Sequence, residues 1–78
     1  MPTRRLRPMR TVGQFGQEVR RLRESAGLTQ AQLARQAGVS RRWIGRLERG
    51  HTGAELDNIM RLTRALDLSL TFEELPTP

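Results

Sequence analysis

The chain has no cysteine, no lysine and no tyrosine among its 78 residues. The absence of cysteine excludes disulfide bonds and thiolate metal sites, which fits a reducing compartment. Apolar runs are only a few residues long, whereas a membrane helix needs about 20 apolar residues. The basic N-terminus also lacks the apolar stretch of a secretory signal. We therefore expect a soluble cytoplasmic protein that does not contact a membrane.

Residues with catalytic chemistry are also scarce. His51 is the only histidine, and no second ligand, nucleophile or paired acid and base accompanies it in the sequence. Such a histidine is more often a loop residue or a phosphate contact than a metal ligand or a catalytic group. We expect no enzymatic activity, no cofactor and no metal site.

Acidic residues are few in the first fifty positions. All fourteen basic residues are arginine, and the net charge of the chain is +6. Residues 1–50 have twelve arginines against Glu18, Glu24 and Glu48, a net charge of +9, whereas residues 51–78 have two arginines against five acids, a net charge of −3. This asymmetry predicts that the first part of the chain binds a polyanion.

Residues 28–50 contain two helix starts separated by a tight turn. Thr29, with Gln32 three residues later, has the spacing of a capping box, in which two side chains satisfy unpaired backbone N–H groups. Gly38 follows where the chain must turn through a left-handed conformation, and Ser40 is the expected N-cap of the next helix. Two helices with this connection are typical of a helix-turn-helix, whose second helix enters the major groove of DNA.

The second helix of the pair has one apolar edge, Ile44 and Leu47, and an outward face rich in arginine. Arginine donates two parallel hydrogen bonds to guanine, and the N-terminal residues of a recognition helix lie deepest in the groove. Two roles stay open for Trp43, which either supports the helix from a half-buried position or contacts a sugar or a thymine methyl group. We predict base contacts by Arg41, Arg42, Arg46 and Trp43, and phosphate contacts by Thr29, Gln30, Ser40 and Arg49.

The segment Leu28–Gly50 resembles the helix-turn-helix of the Xre/Cro family of phage and bacterial repressors. It matches the family pattern L-T-Q-x-x-L-A-x-x-A-G-V-S-x-x-x-I-x-x-L-E-x-G almost position by position. Gly45 departs from the serine or threonine that is common in the family. The resemblance implies a lambda-repressor-like fold, so we expect an all-α protein with a compact bundle of four helices.

Three further segments are similar to the HipB-like antitoxins of type II toxin–antitoxin modules: Arg41-Arg42-Trp43, Ala54-Glu55-Leu56 and Leu66–Phe72. This similarity implies a repressor that is the antitoxin and autorepressor of a HipBA-like module, with a kinase-like HipA-type toxin as its partner. The alternative is an autonomous Xre/Cro-type regulator with no toxin partner. In both cases the ligand is double-stranded DNA, which places the protein at the bacterial nucleoid.

The first ten residues contain two prolines and four arginines and show no helical periodicity. We expect residues 1–10 to be a disordered basic arm. The arm either enters an A·T-rich minor groove or is a flexible tail that keeps the protein soluble. In the first case the contacts come from Arg4, Arg5, Arg7 and Arg10.

Residues 11–67 are the predicted DNA-binding domain, with outer helices that start at Thr11 and at about Glu55. The last helix is expected to end near Leu66, with an inward stripe of Leu56, Ile59, Met60, Thr63 and Leu66. Residues 68–78 are the predicted dimerisation strand and tail.

The segment Leu68–Glu73 alternates between apolar and polar residues, which predicts a short β-strand. No second strand is visible in the sequence, so we expect it to pair with the same strand of a second copy and to bury Leu68, Leu70 and Phe72. The alternative is a tail that folds on its own core. A homodimer places two recognition helices about 34 Å apart, which predicts an inverted-repeat operator.

Overall fold

The computed structural model of the protein describes residues 8–51, 53, 55–72 and 74–76. It contains four α-helices in this part: α1 (Val12–Ser25), α2 (Gln30–Ala37), α3 (Arg41–Glu48) and α4 (Leu56–Ala65). The expected all-α bundle of four helices is confirmed. Within the described ranges, no helix is long and apolar enough to cross a membrane.

The local signals around the central turn are confirmed. Thr29 and Gln32 form both hydrogen bonds of the capping box, at 2.8 and 3.1 Å. Gly38 ends α2 in the left-handed region with a φ of 75°, where a residue with a Cβ is disfavoured. The Ser40 hydroxyl accepts a hydrogen bond from the backbone N–H of Trp43 at 3.0 Å. These contacts set the length of the turn and therefore the angle between α2 and α3.

The core is formed where α3 packs against both α1 and α2, and α4 packs against α2. Five side chains have almost no exposed surface and define its centre: Val19, Leu33, Ile44, Leu47 and Leu62. The predicted apolar edge of the second helix, Ile44 and Leu47, is therefore confirmed as its buried side. A thin layer of partly buried side chains surrounds this centre: Val12, Phe15, Leu28, Val39, Ala65 and Leu66.

The inward face of α4 differs from the predicted stripe. Ile59 and Thr63 are buried as expected, but Leu56 and Met60 are 68% and 44% exposed. Leu62, which the stripe omitted, is fully buried. Leu62 and Met60 are two residues apart and so project about 200° apart around a helix. The stripe was wrong at Met60 and Leu56 because α4 meets α2 through the side of the helix that carries Leu62.

The C-terminal segment is not a strand in the single chain. Residues 68–72 follow α4 in an irregular conformation, and Glu73 lies outside the described residues. The part of the chain that the structure describes contains no strand with which this segment could exchange backbone hydrogen bonds. Leu68 and Leu70 are 36% and 50% exposed, and Phe72 is fully exposed. Leu70 borders an apolar groove that Val12 and Ile59 also line.

Two backbone contacts between glycines and the end of α3 fix the position of α1. A Cβ at Gly16 would lie 1.9 Å from the backbone oxygen of Leu47, a distance that no side chain can adopt. Gly50, which has a φ of 73°, also lies against α1, since a Cβ there would be 3.2 Å from Cα of Gly13. The N-terminal half of α1 therefore packs directly on the backbone at the C-terminal end of α3.

We expect Gly16→Ala to lower the free energy of unfolding by about 3 kcal/mol, the upper end for over-packed sites, because the added methyl group forces α1 away from Leu47. Gly13→Ala is the matched control, because a Cβ there meets only the Thr11 hydroxyl oxygen at 3.8 Å. It should leave stability unchanged or raise it by up to about 1 kcal/mol. Urea denaturation followed by far-UV circular dichroism measures both. Equal effects of the two substitutions would contradict the proposed close contact.

Candidate nucleic-acid interface

The outward side of α3 is a surface of free arginine side chains. Arg41, Arg42, Arg46 and Arg49 are all exposed, while Ile44 and Leu47 on the other side are fully buried. Within the described residues, none of the four forms a salt bridge with a carboxylate. Arg46 donates a long hydrogen bond, 3.4 Å, to the backbone oxygen of His51. Four uncompensated cations, three on α3 and one at its C-cap, produce a strong local positive potential.

The arginines of α1, by contrast, are compensated. Arg20 pairs with Glu24 at 2.7 Å, and Arg21 pairs with Glu18 one turn earlier. The hydrogen bond from Arg20, reinforced by the attraction of its charge, lowers the pKa of the Glu24 carboxyl below its usual value. Exposed pairs of this kind add little stability, but they cancel charge locally. Among the described residues of the N-terminal part, the uncompensated positive charge therefore lies mainly around α3, with single arginines at Arg10 and Arg35.

Glu48, the one acidic residue of α3, is buried in a polar network that joins three elements. Its side chain is 4% exposed and faces Arg23 of α1, which is 11% exposed. Arg23 donates from Nε to one carboxylate oxygen at 2.7 Å and from Nη2 to the other at 3.0 Å. A third bond, from Nη1, goes to the backbone oxygen of Leu28 at 2.7 Å. The hydrogen bonds to Glu48 raise the pKa of Arg23 above its ordinary value.

The same carboxylate also holds the first residue of α2. Gln30 donates from Nε2 to Glu48 at 3.1 Å. Sequence reasoning missed this network, because Arg23 and Glu48 lie 25 positions apart. One feature of the sequence could have indicated the network, namely that Glu48 is the single acid on an otherwise basic helix. An uncompensated carboxylate there would oppose the binding of a polyanion, so a cation from another part of the chain was to be expected beside it.

The predicted phosphate contacts lie close to one another. A Cβ at Gly45 would lie 3.5 Å from Nη1 of Arg49 and 3.6 Å from Oε1 of Gln30, so both side chains cover this glycine. Thr29 and Ser40 are exposed, and each hydroxyl oxygen accepts a capping hydrogen bond. Each hydroxyl proton therefore stays available for a phosphate oxygen. The contacts themselves stay predictions.

Trp43 does not lie on the exposed side of α3, as the predicted base contact would require. Its side chain is 8% exposed and belongs to the core. The buried arc of α3 is wider than the predicted edge because the helix packs against α1 and α2 at once. This burial favours the supporting role, and a base contact would require the indole to leave the core. The indole Nε1 is buried with no hydrogen-bond partner among the described residues, which carries a desolvation cost of about 1–3 kcal/mol.

The predicted arm lies mostly beyond the described residues, which exclude Arg4, Arg5 and Arg7. Arg10 is exposed, and its backbone N–H donates to Oε1 of Gln14 at 2.8 Å. This bond, together with the Thr11 cap, fixes the backbone immediately before α1. The last arginine of the arm is therefore attached to the rigid domain.

Comparison with known proteins agrees with this geometry. The family described as a helix-turn-helix domain matches residues 14–75. The chain belongs to the helix-turn-helix domain family. The expectation of an Xre-type DNA-binding helix-turn-helix protein is thereby confirmed. The match begins at residue 14, so the whole of the predicted N-terminal arm, residues 1–10, lies outside it.

Two relatives within the family are controller proteins. The chain is 40% identical over 53 residues to control protein C.BamHI of Bacillus amyloliquefaciens. The match covers 67% of this chain and spans 65% of the length of that relative. The structure of the restriction-modification controller protein C.AhdI from Aeromonas hydrophila is 41% identical, with a TM-score of 0.70, and the match covers 74% of this chain and 88% of that one.

A second structural relative is a chain of a HipB–O2 20mer complex. It matches 92% of this chain and all of its own length with a TM-score of 0.79, at 22% identity. At this identity the likeness shows a shared fold.

We expect Trp43→Ala to cost about 3–5 kcal/mol of stability, as is usual when a buried aromatic side chain is truncated. Trp43→Phe should cost much less, because it retains most of the packing and removes the unpaired N–H donor. Chemical denaturation followed by circular dichroism compares the two variants, since each lacks the only tryptophan of the chain. Similar losses for both would show that the indole N–H has a partner in solution.

Proposed function

We propose that the protein is a transcription regulator that binds a specific DNA operator with α3 in the major groove. The strongest support comes from the difference between α1, whose arginines are paired with acids, and α3, whose arginines are not paired in the described part of the chain. The α1 arginines are paired with acids, whereas Arg41, Arg42 and Arg46 on α3 are exposed and have no carboxylate partner among the described residues. A helix with a purely structural role does not need a row of exposed, unpaired arginines. The phosphates of DNA supply the negative charge that these arginines lack within the described ranges.

The arginines have different roles according to their position on α3. Arg41 and Arg42 form its first turn and Arg46 its second, so these three contact base edges. Arg49 follows the helix end beside Gln30, and both contact phosphate oxygens together with the hydroxyls of Thr29 and Ser40. The N-terminal arm follows the minor groove, with Arg10 as its fixed point. Trp43 supports α3 from the core.

The functional unit is a homodimer on an inverted repeat. One recognition helix contacts only a few base pairs, whereas two copies related by a two-fold axis contact half-sites about one helical turn apart. Leu68 and Leu70 are exposed and Phe72 is fully so, which supports their burial against a second copy. Pairing of the two segments as antiparallel strands would supply hydrogen-bond partners for their backbone groups. A dimer bound to a promoter represses transcription by excluding polymerase.

The kind of regulator is best indicated by the relatives. Identities of 40% and 41% link the chain to the controller proteins, and we propose a regulator of this kind, with no toxin partner. The antitoxin expected from the sequence is the second candidate. It is supported by the likeness to a chain of the HipA–HipB–O2–O3 complex, which covers 91% of this chain at 21% identity. Restriction and modification genes beside the coding sequence would support the first candidate. A neighbouring toxin gene, or a larger protein that co-purifies in a stoichiometric amount, would support the second.

The base-contact assignment is tested on an operator selected from a random oligonucleotide pool. Arg42→Ala should weaken binding by about 1–3 kcal/mol and relax the preference at one base pair. Arg49→Ala should weaken binding to all sequences alike and lower the slope of log K against log salt concentration by about 1. Arg20→Ala removes the same charge from α1 and is the matched control, which should bind almost normally.

Selection repeated with each variant gives the base preferences, and fluorescence anisotropy gives the affinities. The assignment is wrong if Arg42→Ala keeps the consensus while Arg49→Ala changes it. Binding of random sequence with the affinity of the selected site would reject the proposed function itself.

Dimer formation is tested by changing the exposed apolar residues of the tail. The double substitution Leu70→Ser and Phe72→Ser should convert a dimer to a monomer in sedimentation velocity experiments, because it removes two apolar side chains worth about 1.5–3 kcal/mol each when buried. Leu75→Ser, at a residue that is 70% exposed beyond the alternating segment, is the control and should leave the dimer intact. A wild-type chain that sediments as a monomer on its operator would contradict the proposal.

A further inference from the structure

Glu48 is placed where a carboxylate would be expected to weaken DNA binding. It is the last residue of α3, which otherwise carries only basic charge. The side chain is nevertheless 4% exposed and accepts three hydrogen bonds, two from Arg23 and one from Gln30. A buried ion pair contributes little net stability compared with apolar residues of similar size. The network therefore calls for an explanation beyond stability.

The carboxylate determines which way the amide of Gln30 faces. An ionised carboxylate only accepts hydrogen bonds, so the amide must present Nε2 to Glu48 and not Oε1. Arg23 holds the carboxylate in place through both of its oxygens. Oε1 of Gln30 consequently lies over Gly45. In the absence of Glu48, the amide would be free to rotate by half a turn.

We propose that Glu48 is a positioning residue for DNA binding, which acts through Gln30 at the first turn of α2. One N–H of Nε2 is bound to Glu48, and the second N–H is left to donate to a phosphate oxygen of the DNA backbone. The same carboxylate ties α2 to the end of α3, so the phosphate contact keeps a fixed distance from the base contacts. This inference rests on the proposed function, because it concerns the geometry of the DNA-bound surface.

Loss of the Glu48 charge changes the affinity for DNA in opposite directions, depending on whether Glu48 positions Gln30 or acts only through its charge. Removing a negative charge from a DNA-binding helix strengthens the attraction to phosphate. Losing the orientation of Gln30, in contrast, removes one phosphate hydrogen bond and weakens binding. Glu48→Gln therefore separates the two effects, because it has the same shape, no charge and an amide that no longer dictates the orientation of Gln30.

The experiment measures the affinity for the selected operator of Glu48→Gln, Gln30→Ala and the double variant, each corrected for its folded fraction by circular dichroism. Gln36→Ala, at an exposed position on α2, is the matched control. We expect Glu48→Gln and Gln30→Ala each to weaken binding about tenfold, the equivalent of one hydrogen bond to a charged group. The double variant should bind no more weakly than Gln30→Ala, and the salt dependence should not change.

Glu48→Asp is the second variant, to be used if Glu48→Gln does not fold. It keeps a negative charge opposite Arg23, but its shorter side chain withdraws the carboxylate from Gln30. It too should bind about tenfold more weakly. In ¹⁵N-resolved NMR spectra, the side-chain amide of Gln30 should be shifted and protected from exchange in the wild type. In either Glu48 variant it should move to the position of the exposed Gln36 amide.

Tighter or unchanged DNA binding by the Glu48 variants would overturn the inference. It would also be overturned if the fold-losses of affinity of Glu48→Gln and Gln30→Ala multiplied in the double variant, because the two residues would then act independently. An operator that depends on Arg42 but not on Glu48 would overturn this inference alone. Failure to select any operator would reject the proposed function together with it.

Discussion

The buried pair of Arg23 and Glu48 is the interaction on which the DNA-binding surface depends. It connects α1 to the end of α3, and Gln30 extends it to the start of α2. Beside it, Gly16 allows α1 to touch the backbone of Leu47. Breaking a buried pair by removing one partner costs about 3–5 kcal/mol, because the other charge stays unpaired in the core. In a small domain with five fully buried side chains at its centre, a loss of this size is a large part of the total stability.

The same pair explains how a chain with this many arginines forms a directed surface. Three arginines of α1 face Glu18, Glu24 and Glu48, which are all the acids of residues 1–50. All three acids of the basic part are thus used to compensate the helix behind the recognition helix. The uncompensated charge that is left in the described part of this region lies at Arg10, on α2 and around α3. Charge pairing at the surface adds little to stability, so its main effect here is to leave most of the remaining positive charge around α3.

The features that sequence predicted well are local ones. The capping box at Thr29, the left-handed Gly38 and the cap at Ser40 depend on contacts within a few residues, and each leaves its own short pattern. The errors concern contacts between helices. Trp43 and Met60 were assigned to the wrong side of their helices. The periodicity of apolar residues shows in which direction the buried side of a helix points, but not how wide an arc of the helix its neighbours cover. The contacts that explain Gly16 and Glu48 are made with residues at least 18 positions away, and a single sequence does not show which distant residues meet.

The distinction between a controller and an antitoxin depends on residues outside the recognition helix. Both groups of relatives have the fold that presents α3, so the DNA-binding surface does not separate them. The C-terminal part differs in character, with a net charge of −3 over residues 51–78 and with Leu56 and Met60 exposed on α4. A protein partner that approached this acidic and apolar part would not have to displace DNA from the arginines of α3. The shared fold therefore does not separate the two kinds of regulator, whereas the acidic charge and the exposed apolar side chains of α4 and the tail lie in the part of the chain outside the helix-turn-helix.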